Sequence, residues 1–457
     1  MTSLIWFLEA VLLGCLLVYR WTDLRSLQPA WAAWLLIFGA GAAGGIGATS
    51  CLFFVCGALL GSPLAALVLE LGLLAWCGYE VFRNRTSLEQ PAPGTQPPLA
   101  LPWIAGGLLL ALGIATAAMT IAWDLNPHGN WDAWAIWNLR AKFLASLAGL
   151  APRAWSPVLG ATSHPAYPLL VSSFVGRCWA LSDSLTQAVP AATSYVFLVA
   201  MIALAAGGLT VLRGPTLGLL GALVLATTPS LLHEVPTQYA DVPLACYFAG
   251  AMVFALLDRP VLTGIFAGLA AWTKDEGLLV LIVVLIVVAA FRRRAILPAV
   301  ASALPVAALV ASFKIFLSSG GAPQLSNNPA AASHQLADVA RVGTVAAAFG
   351  REFVAIGAGW YHPILPLVLL AFTLGFDRER RRDTAFCGAI AAALLLCFFG
   401  VYMVTANDLT WILQTSLSRI LVQVWPALLL AGFLSLRAPE AMAVILPRPK
   451  ARQKARA

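Results

Sequence analysis

The sequence predicts an all-α polytopic membrane protein, on three observations. Sixty per cent of the 457 residues are hydrophobic and only 11% are charged, where a soluble domain carries about 25% charged residues. Apolar runs of roughly bilayer-spanning length recur from end to end. The ten-residue alternating pattern of a membrane β-barrel is missing.

Taken in order, the apolar runs predict spans at 4–19, 31–55, 63–82, 102–123, 187–208, 215–231, 240–257, 261–273, 277–291, 296–317, 360–376, 385–404 and 420–436, about thirteen in all. The first looks like a retained span, without a signal-peptide cleavage pattern. Three regions follow. Residues 1–101 hold three N-terminal helices and a Pro-rich cytoplasmic linker. Residues 102–436 form the membrane core. Residues 437–457 are a basic cytoplasmic tail. The glycines between Gly39 and Gly47 lack the Gly-Lys-Ser/Thr ending of a phosphate loop and lie within an apolar run, so they predict close helix packing. The cysteines, Cys15, Cys51, Cys56, Cys77, Cys178, Cys246, Cys387 and Cys397, show no zinc-ligand spacing and read as packing residues rather than a disulfide framework. No repeat supports a transporter built from two related halves.

Charge sets the orientation. With the N-terminus outside, the inner segments hold 19 of the 28 Lys and Arg, although the outer segments are longer. The positive-inside rule then puts the C-terminus in the cytoplasm and gathers the loops 124–186, 318–359 and 405–419, with the turns near Asp241 and Lys274, on the outer face. Within the first of these, the stretch from His164 to Leu181 contains Pro165, Pro168, Gly176 and Arg177 and is expected to be interfacial or re-entrant rather than spanning. The net charge of +8 comes largely from inner loops and the tail, so it does not point to nucleic acid.

Chemistry is expected outside, where acids recur at helix ends: Asp124, Asp132, Glu234, Asp241, Asp275, Glu276 and Asp408. A carboxylate at the membrane boundary is costly to desolvate and so invites a functional reading. Asp132 follows the turn Asn126-Pro127-His128-Gly129 and opens a segment with Trp131, Trp134 and Trp137. These indoles suit the membrane–water interface. Capping is the competing role for Asp132, and for Asp241, which stands two residues before Pro243. Lys274-Asp275-Glu276 interrupts an apolar stretch where a mere turn needs no charge. Arg419 begins the last span, suited to snorkelling or to gripping an anion. His128, His233, His334 and His362 read as structural.

The ordered set is an outer Asp after an early span, then His164-Pro165-Ala166-Tyr167-Pro168-Leu169-Leu170, then Asp241 before Pro243-Leu244-Ala245, then a turn carrying Lys274. Over about residues 102–436 it resembles the C-type integral membrane glycosyltransferases, on the branch of protein O-mannosyltransferases, lipid A aminoarabinose transferases and lipopolysaccharide-core sugar transferases. It departs in having Asp132-Ala133 where many relatives have Asp-Glu, and Ala-Tyr-Pro-Leu in place of Pro-Pro-Leu. The resemblance implies a multi-pass protein of the plasma (bacterial inner) membrane. Its partners would be membrane lipids, a polyprenyl-phosphate sugar donor and a glycolipid, polysaccharide or protein acceptor, with no nucleic acid. Asp132 would be the base, with Asp241 beside it in the catalytic pair. Lys274 and Arg419 would bind the donor phosphate. Glu276, His164, Tyr167 and Asp124 would position substrate. No cofactor is assigned and no metal-ligand set is read. A divalent cation bridging Asp132 and Asp241 stays open, as do two other functions, a transporter or flippase for a lipid-linked sugar and a non-catalytic polysaccharide-assembly subunit.

Overall fold

Inside a bilayer each backbone amide must find its partner within its own segment, so long apolar runs fold as helices. A computed structural model of the chain describes residues 2–83, 100–146, 149–318, 328–357 and 361–441; helices joined by turns and short irregular segments make up these residues, and no strand is formed among them beyond isolated bridges such as that between Phe376 and Leu436. The Pro-rich linker lies almost entirely outside the described residues, as do most of the basic tail and parts of the 318–359 loop.

A helix occupies every one of the segments read as spans. They are α1 (Thr2–Trp21), α2 (Ala30–Phe53, continued to Leu59 by a π-helical turn), α3 (Pro63–Arg83), α4 (Leu101–Leu125), α7 (Ala188–Arg213), α8 (Pro215–Ala226), α10 (Asp241–Leu256), α11 (Pro260–Thr273), α12 (Asp275–Phe291), α13 (Ile296–Ser312), α16 (Ile364–Leu374), α17 (Arg381–Met403) and α18 (Leu409–Ser435). Between them lie α5 (Asn138–Ala145), α6 (Leu170–Ser182), α9 (Pro229–Glu234), α14 (Pro329–Ala337) and α15 (Val339–Ala355). Among the described residues eight helices are long and apolar enough to cross a membrane: α1, α2, α3, α4, α7, α13 with its flanking turns, α17 and α18. The chain is therefore an all-α protein with the helices of a polytopic membrane protein.

α10 is the centre. Every residue from Asp241 to Leu256 is buried, and a helix apolar all round belongs inside a bundle. α7, α11 and α18 surround it. The glycine run of α2 does what its composition predicts. A Cβ on Gly45 would stand 2.1 Å from the Ala10 carbonyl oxygen, and one on Gly14 would stand 2.0 Å from that of Gly41, so α1 and α2 touch backbone to backbone. All eight cysteines are unpaired thiols.

The 164–181 stretch departs from the interfacial form of its expectation but not from the expectation that it does not span. Its helix, α6, has 13 residues, about 20 Å at 1.5 Å per residue, too short for a ~30 Å hydrocarbon core. It does not lie with one face to water either, because Leu170–Trp179 is wholly buried. The cause is Arg177, at 0% exposure. It bonds Glu70 of α3 through Nε at 3.0 Å, Glu9 of α1 through Nη2, and the Trp6 carbonyl at 2.9 Å. This buried triad ties α1 and α3 to the core.

The ends of the bundle are chemically distinct. Asp241, Asp275 and Glu276 begin α10 and α12, whereas Asp258 and Arg292 follow their other ends. At that second end the basic segments cross-link: Arg259 to Asp23 at 2.6 Å, Arg213 to Asp377 at 2.8 Å, and Arg292 to Asp383 at 2.8 Å.

Candidate functional site

Local structure at the first end starts from the turn after α4. Gly129 has φ +70°, and a Cβ there would stand 2.5 Å from the Thr237 carbonyl oxygen, so glycine is required on both counts. The Asn130 amide donates to that same carbonyl at 3.1 Å. Gln238 donates from Nε2 to the Pro127 carbonyl at 3.0 Å and accepts from Asn138 Nδ2 at 3.2 Å. These bonds zip 127–138 to 237–238 and set Asp132 beside the start of α10.

Neither aspartate caps its helix through its side chain. Both are held by Arg419. Its Nη1 lies 2.7 Å from Asp132 Oδ2, its Nη2 2.9 Å from Asp241 Oδ2, and its Nε 3.0 Å from the same oxygen. The guanidinium thus occupies the bridging position between the two carboxylates. Among the described residues no group of three or more His, Cys, Asp or Glu is arranged to hold a metal. The Tyr239 ring lies 4.5 Å beneath the guanidinium carbon. Asp241 Oδ1 accepts from Lys274 Nζ at 3.0 Å and from Gln423 Nε2, one turn along α18 from Arg419. Lys274 also meets Glu276 at 2.9 Å.

Asp132, Arg419, Asp241, Lys274 and Glu276 therefore form one connected network drawn from four distant segments. Burial is graded along it. The Asp241 side chain is 0% exposed and Lys274 5%, while Arg419 is 14%, Asp132 19% and Glu276 20%. The charged centre is buried and its two acidic ends reach solvent. Burial opposes the charge on Lys274, yet Asp241 and Glu276 outweigh it and hold its pKa above the ordinary lysine range. Three carboxylates face two cations, so an incoming anion must displace a carboxylate rather than add to the network.

Glu234 approaches from α9, 8% exposed, with one carboxylate oxygen lacking a partner. Burial and the nearby Asp241 charge raise its pKa to about 7. The sequence marks Glu234 as an outer acid but assigns it no role.

The wall of the site is the 164–167 loop. Arg140, fully buried, donates from Nη2 to the Tyr167 carbonyl at 2.7 Å and to that of Pro165 at 3.2 Å, and from Nε to that of Ala154 at 2.7 Å. Lys314 joins the loop to α12, bonding the Ala166 carbonyl at 2.6 Å and Asp275 at 2.5 Å. His164, at φ +42°, stacks on Tyr167 with centroids 4.6 Å apart, and Tyr167 stacks on the buried Trp137. Burial lowers the His164 pKa, against the pull of Asp132 and Glu276. Trp131 and Trp134 stay about half exposed, edge to face at 4.4 Å.

Asp124 is not brought in. It ends α4 exposed, with no ion pair to the network, because the turn after it carries the chain inward only from Asn130. Asp408 caps α18, accepting from the Trp411 amide at 2.8 Å. His362 is structural, bonding the Phe353 carbonyl at 2.8 Å. Sequence reasoning missed Gln423, Arg140 and Lys314. The signal for Gln423 was its spacing of four from Arg419, which puts both on one helix face.

Compared with known proteins, the chain matches no family model, no curated protein and no solved structure.

Proposed function

We propose that this chain is an integral membrane glycosyltransferase. It moves a sugar from a polyprenyl-phosphate donor to a hydroxyl of an envelope glycolipid, polysaccharide or protein. The observation that carries the reading is the Asp132–Arg419–Asp241–Lys274–Glu276 network at one end of apolar helices. The short helices beneath it favour a lipid-linked substrate. α10, with 16 residues, spans about 24 Å and α11, with 14, about 21 Å, each short of a ~30 Å hydrocarbon core. In a thirteen-span arrangement their charged ends lie in a recess below the membrane surface, within reach of a head group whose tail stays in the bilayer. In this reading the recess faces the extracytoplasmic side of the plasma (bacterial inner) membrane and the C-terminus the cytoplasm, an orientation that the excess of Lys and Arg in the inner segments favours.

In this reaction Arg419 exchanges Asp132 for the donor phosphate, and Asp132, released, accepts the proton of the acceptor hydroxyl. The acceptor oxygen bonds the anomeric carbon from the face opposite the phosphate. The bond from that carbon to phosphate oxygen breaks, and its electron pair leaves on the polyprenyl phosphate. The product is inverted, through an oxocarbenium-like transition state. Arg419 stabilises the growing phosphate charge in a partly dry site. Lys274, the more buried cation, fixes Asp241 and Glu276 and adds its field to that of Arg419. His164 and Tyr167 form the aromatic wall facing the sugar. A divalent cation has no part in this scheme.

The test is purified protein with a polyprenyl-phosphate sugar and an envelope extract as acceptor. Release of free polyprenyl phosphate with labelled glycan supports transfer. Movement of intact donor between leaflets without release shows a flippase instead.

A further inference from the structure

At the end of the bundle away from Asp132, a cavity of about 490 Å³ opens between the end of α12, the start of α13 and the start of α17. Four arginines line it, Arg292, Arg293, Arg294 and Arg382, against two acids, Asp258 and Asp383. Arg292 is committed to both acids, at 2.5 and 2.8 Å, and lies over the Phe386 ring at 5.3 Å. Arg382 donates to the Phe291 carbonyl at 2.7 Å, which holds it at the rim. Arg293 and Arg294 are exposed and make no ion pair among the described residues. The lining carries two positive charges in excess.

Position decides what that excess is for. α12 has 17 residues and so runs about 26 Å from the Asp275 end to this cavity, most of the ~30 Å of a hydrocarbon core. The cavity is at the opposite membrane boundary from the candidate site. Its walls include Ala290, Phe291, Ala295 and Phe386, and the two helices that meet at it carry outward apolar side chains: Ile282 and Ile286 on α12, Leu297 and Leu304 on α13, all more than half exposed. A soluble phosphate compound has no use for that surface, whereas acyl chains do. Arginine forks suit phosphate oxygens.

We infer that this cavity binds the phosphate head group of an anionic glycerophospholipid, with Arg293, Arg294 and Arg382 on the phosphate and the acyl chains lying along α12 and α13. The site is separate from the proposed transferase centre and does not depend on that reading.

Native mass spectrometry of the detergent-purified full chain tests it, with phosphatidylglycerol and phosphatidylcholine as probes. Phosphatidylglycerol should be retained selectively. A basic side chain at a charged lipid surface is worth about a factor of five, so Arg293→Gln with Arg294→Gln should weaken retention about thirty-fold, and the corresponding double lysine variant should keep most of it. Arg382→Gln alone should lose about fivefold, a second reading should the double variant aggregate. Equal retention of the two lipids, or less than threefold loss in well-folded variants, overturns the proposal. Displacement of phosphatidylglycerol by millimolar inorganic phosphate also overturns it, in favour of a soluble phosphate ligand.

Discussion

Arg419 Nη1 lies 2.7 Å from Asp132 Oδ2, joining the last long helix to the turn after α4. The same guanidinium holds the buried Asp241, so one side chain decides how the two carboxylates are placed and how much charge each can use. The consequences divide by residue.

Asp132 sits at the solvent-reaching end of the network, so its loss leaves the core intact. Asp132→Asn should keep the melting temperature in detergent within a few degrees and lower sugar transfer by about 10²–10⁴, the usual worth of a positioned base. Transfer at the wild-type rate by the folded variant rules Asp132 out as base.

Lys274 and Asp241 are both buried. Removing one partner of a buried pair costs about 3–5 kcal/mol when the other charge is left unpaired; here Asp241 keeps Arg419, but without Lys274 the three carboxylates Asp132, Asp241 and Glu276 face a single cation. Lys274→Met should therefore destabilise strongly, and Lys274→Met with Asp241→Asn should regain much of the loss. Thermal unfolding of the two variants measures the difference. An additive loss means that the pair is not coupled.

Glu234 should give the site a pH dependence. Its pKa is raised from 4.5 to about 7 in the folded chain. The native state thus holds a proton that the unfolded state has released, and stability falls as pH rises from about 4.5 to about 7. Glu234→Gln should flatten this part of the stability–pH curve. Under the proposed function it should also remove a limb near pH 7 from the pH–rate profile. An unchanged stability curve shows that Glu234 is already ionised.

The Arg177–Glu70–Glu9 triad predicts an effect far from the site. Glu70→Leu strands much of the Arg177 charge in an apolar interior and should cost about 3–5 kcal/mol, releasing α1 and α3 first. Protease accessibility of the linker between α3 and α4, against that of loops in the core, reads this. Protection equal to wild type rejects the triad as the tie.

Gly45 predicts a steric effect. Gly45→Val puts a side chain where the Ala10 carbonyl stands and should separate α1 from α2, at a cost of about 1–3 kcal/mol for overpacking. Disulfide cross-linking between α1 and α2 should fall in step. Unaltered cross-linking means that the two backbones are not in close contact.

Much of this was legible in the chain. Bilayer-length apolar runs carry their own hydrogen bonding, so each was bound to be a helix whatever its neighbours. Charges that interrupt those runs are expensive enough to mark themselves, and Asp132, Asp241, Lys274, Glu276 and Arg419 were found that way. Arg177 and Glu70 carried the same mark, but each was only half of a pair. Gln423 and Arg140 carried less: an amide within an apolar face, and one more basic residue on an outer loop.

The helices, their order and the charged ends were thus set locally, by length, hydropathy and the cost of an ion in lipid. Which charge meets which was set by the fold. The 127–138 segment is laid against 237–238 by backbone and amide bonds between segments remote in sequence, and a cation is shared between two acids only once α10 and α18 lie side by side. The outcome for Asp124 follows from the same cause. By sequence it is as acidic and as near a helix end as Asp132, but the Gly129 turn separates an exposed carboxylate from one that reaches Arg419. Pairing energies depend on distances of a few ångströms, and only packing across the whole bundle fixes those.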